Sequence, residues 1–190
     1  MAVGDGIGNN LERVTHDDLQ EAAMRGNVPL MRQLIRAGAS VNAPMRPESD
    51  DEFMTLLHIF AMKPELPNGI QVISEIIRGR ANLNVRSSLG STPLSCACFV
   101  KHPGAVKVLL EAKADASPTD DKGCTAVRCA VLPPVDPGRF EAAEWILKCV
   151  DVLKLLVAAG ETSHRNFSGS MPQQRLQRTM IQHECSPLAP

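Results

Sequence analysis

The stretch Gly90-Ser91-Thr92-Pro93-Leu94-Ser95-Cys96-Ala97-Cys98 decides the fold of this chain. Thr92 is suited to precede a helix, because its hydroxyl can accept a hydrogen bond from a backbone N–H of the first turn. Pro93 then falls at the first helical position, where a missing N–H costs little. The small residues that follow would let a neighbouring helix approach closely. The stretch therefore predicts the start of a short helix that packs against others.

Three further segments repeat this pattern along the chain. They are Asp17–Ala23, Thr55–Ala61 and Gly123–Ala130, and each is followed by apolar residues at helical spacing. The aligned apolar positions lie 38, 37 and 33 residues apart by subtraction, and they are Leu19, Leu57, Leu94 and Val127. A period near 33 residues with a T-P-L-H-x-A core is typical of one repeat architecture.

The chain resembles the ankyrin-repeat family from about Asp17 to Gly160. The resemblance implies an all-α solenoid of antiparallel helix pairs with short β-hairpin loops. We expect a flexible N-terminus at 1–12, a repeat domain at 13–160 and a disordered tail at 161–190. The expected repeats are about 15–44, 53–86, 88–119 and 121–162, with an insertion at about 132–145.

Helix ends can also be predicted from single residues. Thr55, Thr92 and Thr125 are expected to cap the first helix of their repeats, and Asp17 is expected to supply a carboxylate at the same place in the first repeat. The helical run from Arg139 to Ala159 is compatible with one long helix or with two.

Four residues are expected to end the second helices of the repeats. Gly38 and Gly160 fit a left-handed C-cap. Arg80 and Lys113 replace that glycine in the two middle repeats, which should cost about 1 kcal/mol each.

Composition restricts the class of protein. The chain has 190 residues, of which 44% are hydrophobic and 22% charged, and this excludes wholesale disorder. A formal net charge of -1 argues against nucleic-acid binding, and an aromatic content of 3% argues against a β-sandwich. No secretory signal and no apolar stretch of about 20 residues is visible, so we expect no membrane insertion and a cytoplasmic or nuclear location. Six cysteines are then expected as reduced thiols.

We expect no catalytic residue, cofactor or metal site in this chain. The glycines of Gly4–Gly8 lack the dinucleotide-binding spacing. The cysteines lack the paired C-x2-C spacing of zinc sites, and Cys98 falls at a core position. The resemblance makes His58 a structural residue that hydrogen-bonds to the backbone.

The resemblance implies a concave binding face, formed by the loop tips between repeats and the exposed side of each first helix. The corresponding residues here are Met24, Arg25, Asp51, Glu52, Met54, Met62, Lys63, Ser88, Leu89, Ser91, Phe99, Val100, Asp121, Lys122 and Leu132. Methionine and aromatic side chains in this row suit a surface that adapts to a partner, although core packing is the alternative for each of them. The acidic loop from Glu48 to Glu52 would attract a basic partner segment, or else it only keeps the protein soluble.

The sequence therefore predicts a non-catalytic scaffold or adaptor that binds another protein, whose identity stays open. The alternative is a regulatory or inhibitory subunit, or targeting module, of a larger enzyme or signalling complex. An enzyme built on the same scaffold is a weaker third reading, because no catalytic constellation is visible in the sequence.

Overall fold

A computed structural model describes residues 15–45, 53–132 and 142–160 of the chain. The helices in these ranges are α1 His16–Met24, α2 Val28–Arg36, α3 Leu56–Met62, α4 Gly69–Arg78, α5 Pro93–Phe99, α6 Pro103–Glu111, α7 Ala126–Val131 and α8 Ala142–Ala158. Two short strands, β1 Pro44–Met45 and β2 Met54–Thr55, pair antiparallel, with Pro44 opposite Thr55. The expected flexible N-terminus at 1–12 and the expected disordered tail at 161–190 lie outside the described residues.

The helices pack as four pairs in two rows. Each odd-numbered helix packs against the even-numbered helix that follows it. The first helices α3, α5 and α7 form an inner row, and the second helices α2, α4, α6 and α8 form an outer row. The predicted helix-pair solenoid is confirmed, with only a small two-stranded sheet in the described ranges.

Small side chains on the first helices let successive repeats pack closely. Ala23, Ala61 and Cys98 occupy the same position in three successive repeats, and all three are fully buried. Larger apolar side chains of the outer row, such as Ile73 and Val106, close the core from the other side. Close packing of this kind is what a solenoid needs, because each repeat buries its apolar surface only against its neighbours.

Hydrogen bonds at the helix starts confirm the caps at Thr92 and Thr125 and correct the first one. Thr55 occupies the N-cap position of α3, where its hydroxyl lies 3.0 Å from Nδ1 of His58. Thr92 Oγ1 accepts from the backbone N–H of Ser95 at 3.3 Å, and Thr125 caps α7 in the same way. In α1 the cap is Thr15 and not Asp17. The reason is reciprocal bonding, because the Asp18 carboxylate three residues later accepts from the backbone N–H of Thr15 at 3.0 Å.

The predicted left-handed residues at the ends of the outer helices are confirmed. Gly38 and Gly160 have φ of 101° and 79°. Arg80 and Lys113 hold the same conformation at 63° and 69°, although their β-carbons make it unfavourable.

The carboxyl-terminal helical run contains one helix in the described residues. α8 extends over 17 residues without a break, which favours the single-helix alternative. It begins at Ala142, inside the range that the sequence assigned to the insertion.

Candidate protein-binding site

The loops that precede the second, third and fourth repeats are joined edge to edge. The backbone N–H of Ser88 donates to the carbonyl oxygen of Phe53 at 3.1 Å. One repeat further, the backbone N–H of Asp121 donates to the carbonyl oxygen of Leu89 at 3.2 Å. These bonds make the three loop tips one continuous edge, which presents its side chains in a fixed row.

The tips before the third and fourth repeats are also closed by their own backbone. The N–H of Ser87 donates to the carbonyl oxygen of Ser91 at 2.9 Å, and the N–H of Asp120 donates to that of Cys124 at 3.0 Å. The Asp120 carboxylate accepts from the Cys124 N–H at 2.8 Å as well. The residues at the two tips are therefore held by short turns.

An ion pair crosses from one tip to the next above Gly90. The Arg86 guanidinium donates to the carbonyl oxygen of Thr119 at 2.8 Å and lies 3.2 Å from the carboxylate of Asp121. Gly90 has a φ of 72°, and a β-carbon there would collide with both charged groups. Arg86 was not among the predicted residues, because its partners come from the following repeat.

The predicted tip residues differ in exposure. Leu89 is 65% exposed, the largest value for an apolar side chain on this edge. Ser88, Asp121 and Lys122 are exposed too, whereas Met54 and Ser91 are half-buried. Phe53, directly before Met54, is exposed and was not among the predicted residues. Its position one residue ahead of a predicted one was the available signal.

The predicted residues at the ends of the first helices α1, α3, α5 and α7 form a second row. Met24, Arg25 and Lys63 are exposed, and Arg25 pairs with Glu21 at 2.7 Å. Four members are only half-buried, and they are Met62, Phe99, Val100 and Leu132. Met62, Phe99 and Leu132 pack against the core while keeping part of their surface accessible. Both interpretations of this row, core packing and an accessible surface, therefore hold in part.

Two predicted residues cannot be placed. Asp51 and Glu52 lie outside the described residues, together with Glu48 and Asp50 of the same acidic loop.

A buried lysine, which was not among the predicted residues, anchors the end of the inner row. Lys101 is only 4% exposed, and its ammonium donates to the carbonyl oxygens of Phe99, Cys129 and Leu132 at 2.9, 3.1 and 2.8 Å. The ammonium also lies 5.8 Å from the centre of the Trp145 ring. Burial lowers the pKa of Lys101. No sequence signal marks this role, because lysines are rarely buried.

His58 is held between two backbone segments, as the resemblance implies. Its Nδ1 accepts from the backbone N–H of Thr55 at 3.2 Å, and its Nε2 lies 3.1 Å from the carbonyl oxygen of Ser91 in the next repeat. Nε2 therefore carries the proton, and the ring is neutral. Burial lowers the pKa of His58, which favours this neutral form. Both ring nitrogens are used in structural contacts.

The five cysteines in the described ranges are buried thiols. Burial raises the pKa of Cys96 to about 12 and that of Cys129 to about 11. It also raises the pKa of Cys98. A thiol must lose its proton to act as a nucleophile, so these groups are inert near neutral pH.

In residues 15–45, 53–132 and 142–160, the His, Cys, Asp and Glu side chains form no group of three that could hold a metal ion. None of the helices in this part of the chain has both the length and the apolar character of a membrane span.

The sequence of this chain is similar to that of a known protein and to a known family. The chain is 32% identical over 111 residues to Palmitoyltransferase Hip14 from Drosophila melanogaster, and the alignment covers 58% of this chain but 16% of that protein. The family model described as ankyrin repeats (3 copies) matches residues 19–120 and 57–166. Since these matches span well over half of the sequence, and the structure consists of stacked helix pairs, the chain belongs to the ankyrin-repeat family.

Proposed function

We propose that this chain is a non-catalytic protein-binding module, and that it holds its partner along the row of loop tips and inner-helix ends. The observation that carries the proposal is the continuous edge formed by Phe53, Ser88, Leu89 and Asp121. Backbone bonds fix this edge before any partner arrives, so less conformational entropy is lost on binding.

The chemistry of the edge suits a protein partner. Exposed apolar side chains, Phe53 and Leu89, alternate with polar and charged ones, Ser88, Asp121 and Lys122. Protein interfaces commonly combine apolar anchors with a polar rim. Partly accessible Met62 and Phe99 lie in the neighbouring row, where flexible and aromatic side chains can adapt to the partner.

The buried cysteine thiols and the His58 imidazole have structural roles in the described part of the chain. The buried thiols are protonated near neutral pH, and the imidazole of His58 is bonded at both nitrogens. Their protonation and hydrogen bonding support the proposal of a scaffold or adaptor. We expect this protein to act in the cytoplasm or nucleus.

One observation favours a second candidate, a targeting or regulatory module of a larger enzyme complex. The relative in Drosophila melanogaster is named as a palmitoyltransferase, and the match covers only 16% of its length. A segment of this type thus occurs as part of an enzyme. The two candidates differ in whether the bound partner is an enzyme whose activity changes on binding.

Site-specific photocrosslinking tests the binding face. A photoreactive phenylalanine analogue is placed at Leu89 on the tip edge or, as the matched control, at Glu111 on the outer helix α6, where the side chain is also exposed. We expect a discrete crosslinked partner from position 89 and none from position 111. Equal crosslinking from both positions, or crosslinking from 111 alone, would contradict the proposal.

A further inference from the structure

A surface that is buried in the earlier repeats is exposed in the last described repeat. Val131 of α7 holds the position that Ala23, Ala61 and Cys98 hold in the earlier repeats. Those three side chains are 0% exposed, whereas Val131 is 50% exposed. On α8, Val150 and Val157 are exposed, although Ile70 and Ile77 at the corresponding places of α4 are half-buried.

Contacts inside the solenoid show what covers such positions. Ile35 of α2 lies so close to Gly79 of the next repeat that a β-carbon there would be 3.2 Å from its methyl group. Ile70 of α4 approaches Gly104 of the following repeat in the same way, at 2.9 Å. The apolar residues on this side of each outer helix are therefore stacking contacts for the next repeat.

The two ends of the described solenoid differ in chemistry. α1 exposes Asp17, Asp18 and Glu21, which suits an end that faces water. Of the eight large apolar side chains exposed in the described ranges, four lie on α8, namely Ile146, Leu147, Val150 and Val157. We call the surface formed by Val131 and these four residues the end face. Its composition is that of an interface and not of a polar cap.

We propose that the end face binds the end face of a second copy of this chain, with the two α8 helices antiparallel about a twofold axis. The central stripe of α8 consists of three end-face residues, Ile146, Val150 and Val157, together with the half-buried Leu153. Their positions differ by steps of four, three and four residues. This spacing reads the same in both directions. In the antiparallel pair, Ile146 of one copy lies against Val157 of the other, and Val150 lies against Leu153. Such an isologous seam has the spacing of a short coiled coil.

The charges on α8 are compatible with this pairing. Lys148 lies 2.7 Å from Glu144 and Lys154 lies 3.7 Å from Asp151, so the helix brings no unbalanced charge to the seam. Leu147 and Lys154 flank the stripe on the same side. The antiparallel register places Leu147 of one copy beside Lys154 of the other, where the lysine stem can cover the leucine.

Sedimentation velocity of the full chain, from about 1 to 200 µM, tests the proposal. We expect a dimer whose population rises with concentration. Leu147→Lys should weaken it at least tenfold, because the new lysine faces Lys154 of the other copy. The matched control is Leu89→Lys, since Leu89 and Leu147 are both 65% exposed, and this variant should dimerise as the unsubstituted chain does.

A second pair of variants tests the register. Adding Lys154→Glu to Leu147→Lys should restore the dimer, because opposite charges then face each other across the seam. Circular dichroism and urea midpoints show that each variant is folded. A chain that stays monomeric at every concentration overturns the proposal, as does a dimer that is unaffected by Leu147→Lys or that is lost in Leu89→Lys. A dimer that Lys154→Glu fails to restore overturns the antiparallel arrangement.

Discussion

The ammonium of Lys101 lies 2.8 Å from the carbonyl oxygen of Leu132, and this contact joins the ends of two neighbouring inner helices. The same ammonium donates to the carbonyl oxygens of Phe99 and Cys129. An ammonium group has three N–H bonds, so all of its donors are used. Lys101 thus ties the carboxyl end of α5 to that of α7 beside the candidate binding face.

Replacing Lys101 by Met should lower the free energy of unfolding by at least about 2 kcal/mol, because charge-assisted bonds are lost and carbonyl oxygens are left buried without a donor. Urea unfolding measures the change. Lys113→Met is the matched control, since Lys113 also has a positive φ but is exposed, and it should change stability by less than about 0.5 kcal/mol. Equal losses in the two variants would contradict a structural role for the ammonium of Lys101.

Glycine should stabilise the chain at the two left-handed positions of the middle repeats. Arg80→Gly and Lys113→Gly each remove a strained φ, 63° and 69°, that is worth about 1–2 kcal/mol. The greater freedom of glycine in the unfolded chain offsets part of this, which leaves a net gain of about 0.5–1 kcal/mol. The control Gln33→Gly, inside α2, should instead cost about 1 kcal/mol. If thermal unfolding shows the same loss of stability for all three variants, the backbone at Arg80 and Lys113 is not strained.

Stability should fall as the pH decreases from 7.5 to 5.5. Burial lowers the pKa of His58 and of His102 in the folded state, below the value of about 6.5 that histidine has in an unfolded chain. Below that pH the unfolded chain binds protons that the folded chain does not, so protonation favours unfolding. Urea unfolding at several pH values measures this slope, and the double variant His58→Gln, His102→Gln should flatten it. A stability that rises as the pH falls from 7.5 to 5.5 would contradict the lowered pKa values of His58 and His102.

Local features of the fold could be predicted from the sequence because their causes are local. Thr92 with Pro93 signals a helix start, and Gly38 signals a helix end, since each acts on backbone groups within one turn. The predicted cap of α1 was wrong, because two suitable capping residues lie two positions apart. Asp17 and Thr15 are both suitable residues, and the reciprocal bond from Asp18 decides between them.

The candidate site depends on contacts between repeats, which the sequence does not show. The position of Leu89 in an exposed tip follows from the repeat register. The partial burial of Phe99 and the full burial of Lys101 do not, because they depend on how closely α5, α7 and α8 approach one another. The exposure of Val131 likewise depends on which surface the next element covers, and not on the residue itself.

Leu89→Ala should separate binding from stability. Because Leu89 is 65% exposed, its removal should change the free energy of unfolding by less than about 0.5 kcal/mol. We expect it to weaken the complex with the crosslinked partner at least tenfold, which corresponds to about 1.4 kcal/mol. Isothermal titration calorimetry measures the affinity.

Two comparison variants complete this test. Phe99→Ala should weaken binding by roughly 2 kcal/mol or more, and it should also reduce stability, because Phe99 packs against the core and lies under the Lys101 ammonium. The core variant Leu109→Ala should cost about 2–5 kcal/mol of stability and leave the affinity per folded molecule unchanged. If Phe99→Ala only unfolds the chain without changing that affinity, Phe99 belongs to the core alone.

Hydrogen–deuterium exchange of the full chain, with and without the crosslinked partner, tests the binding face most directly. The account predicts that the partner slows exchange in the tips at 87–91 and 120–124 and at the carboxyl ends of α3 and α5. The outer helices α4 and α6 should exchange at the same rate in both samples. Slower exchange confined to α4 and α6, with the tips unchanged, would contradict the claim that this protein binds its partner along the loop-tip edge.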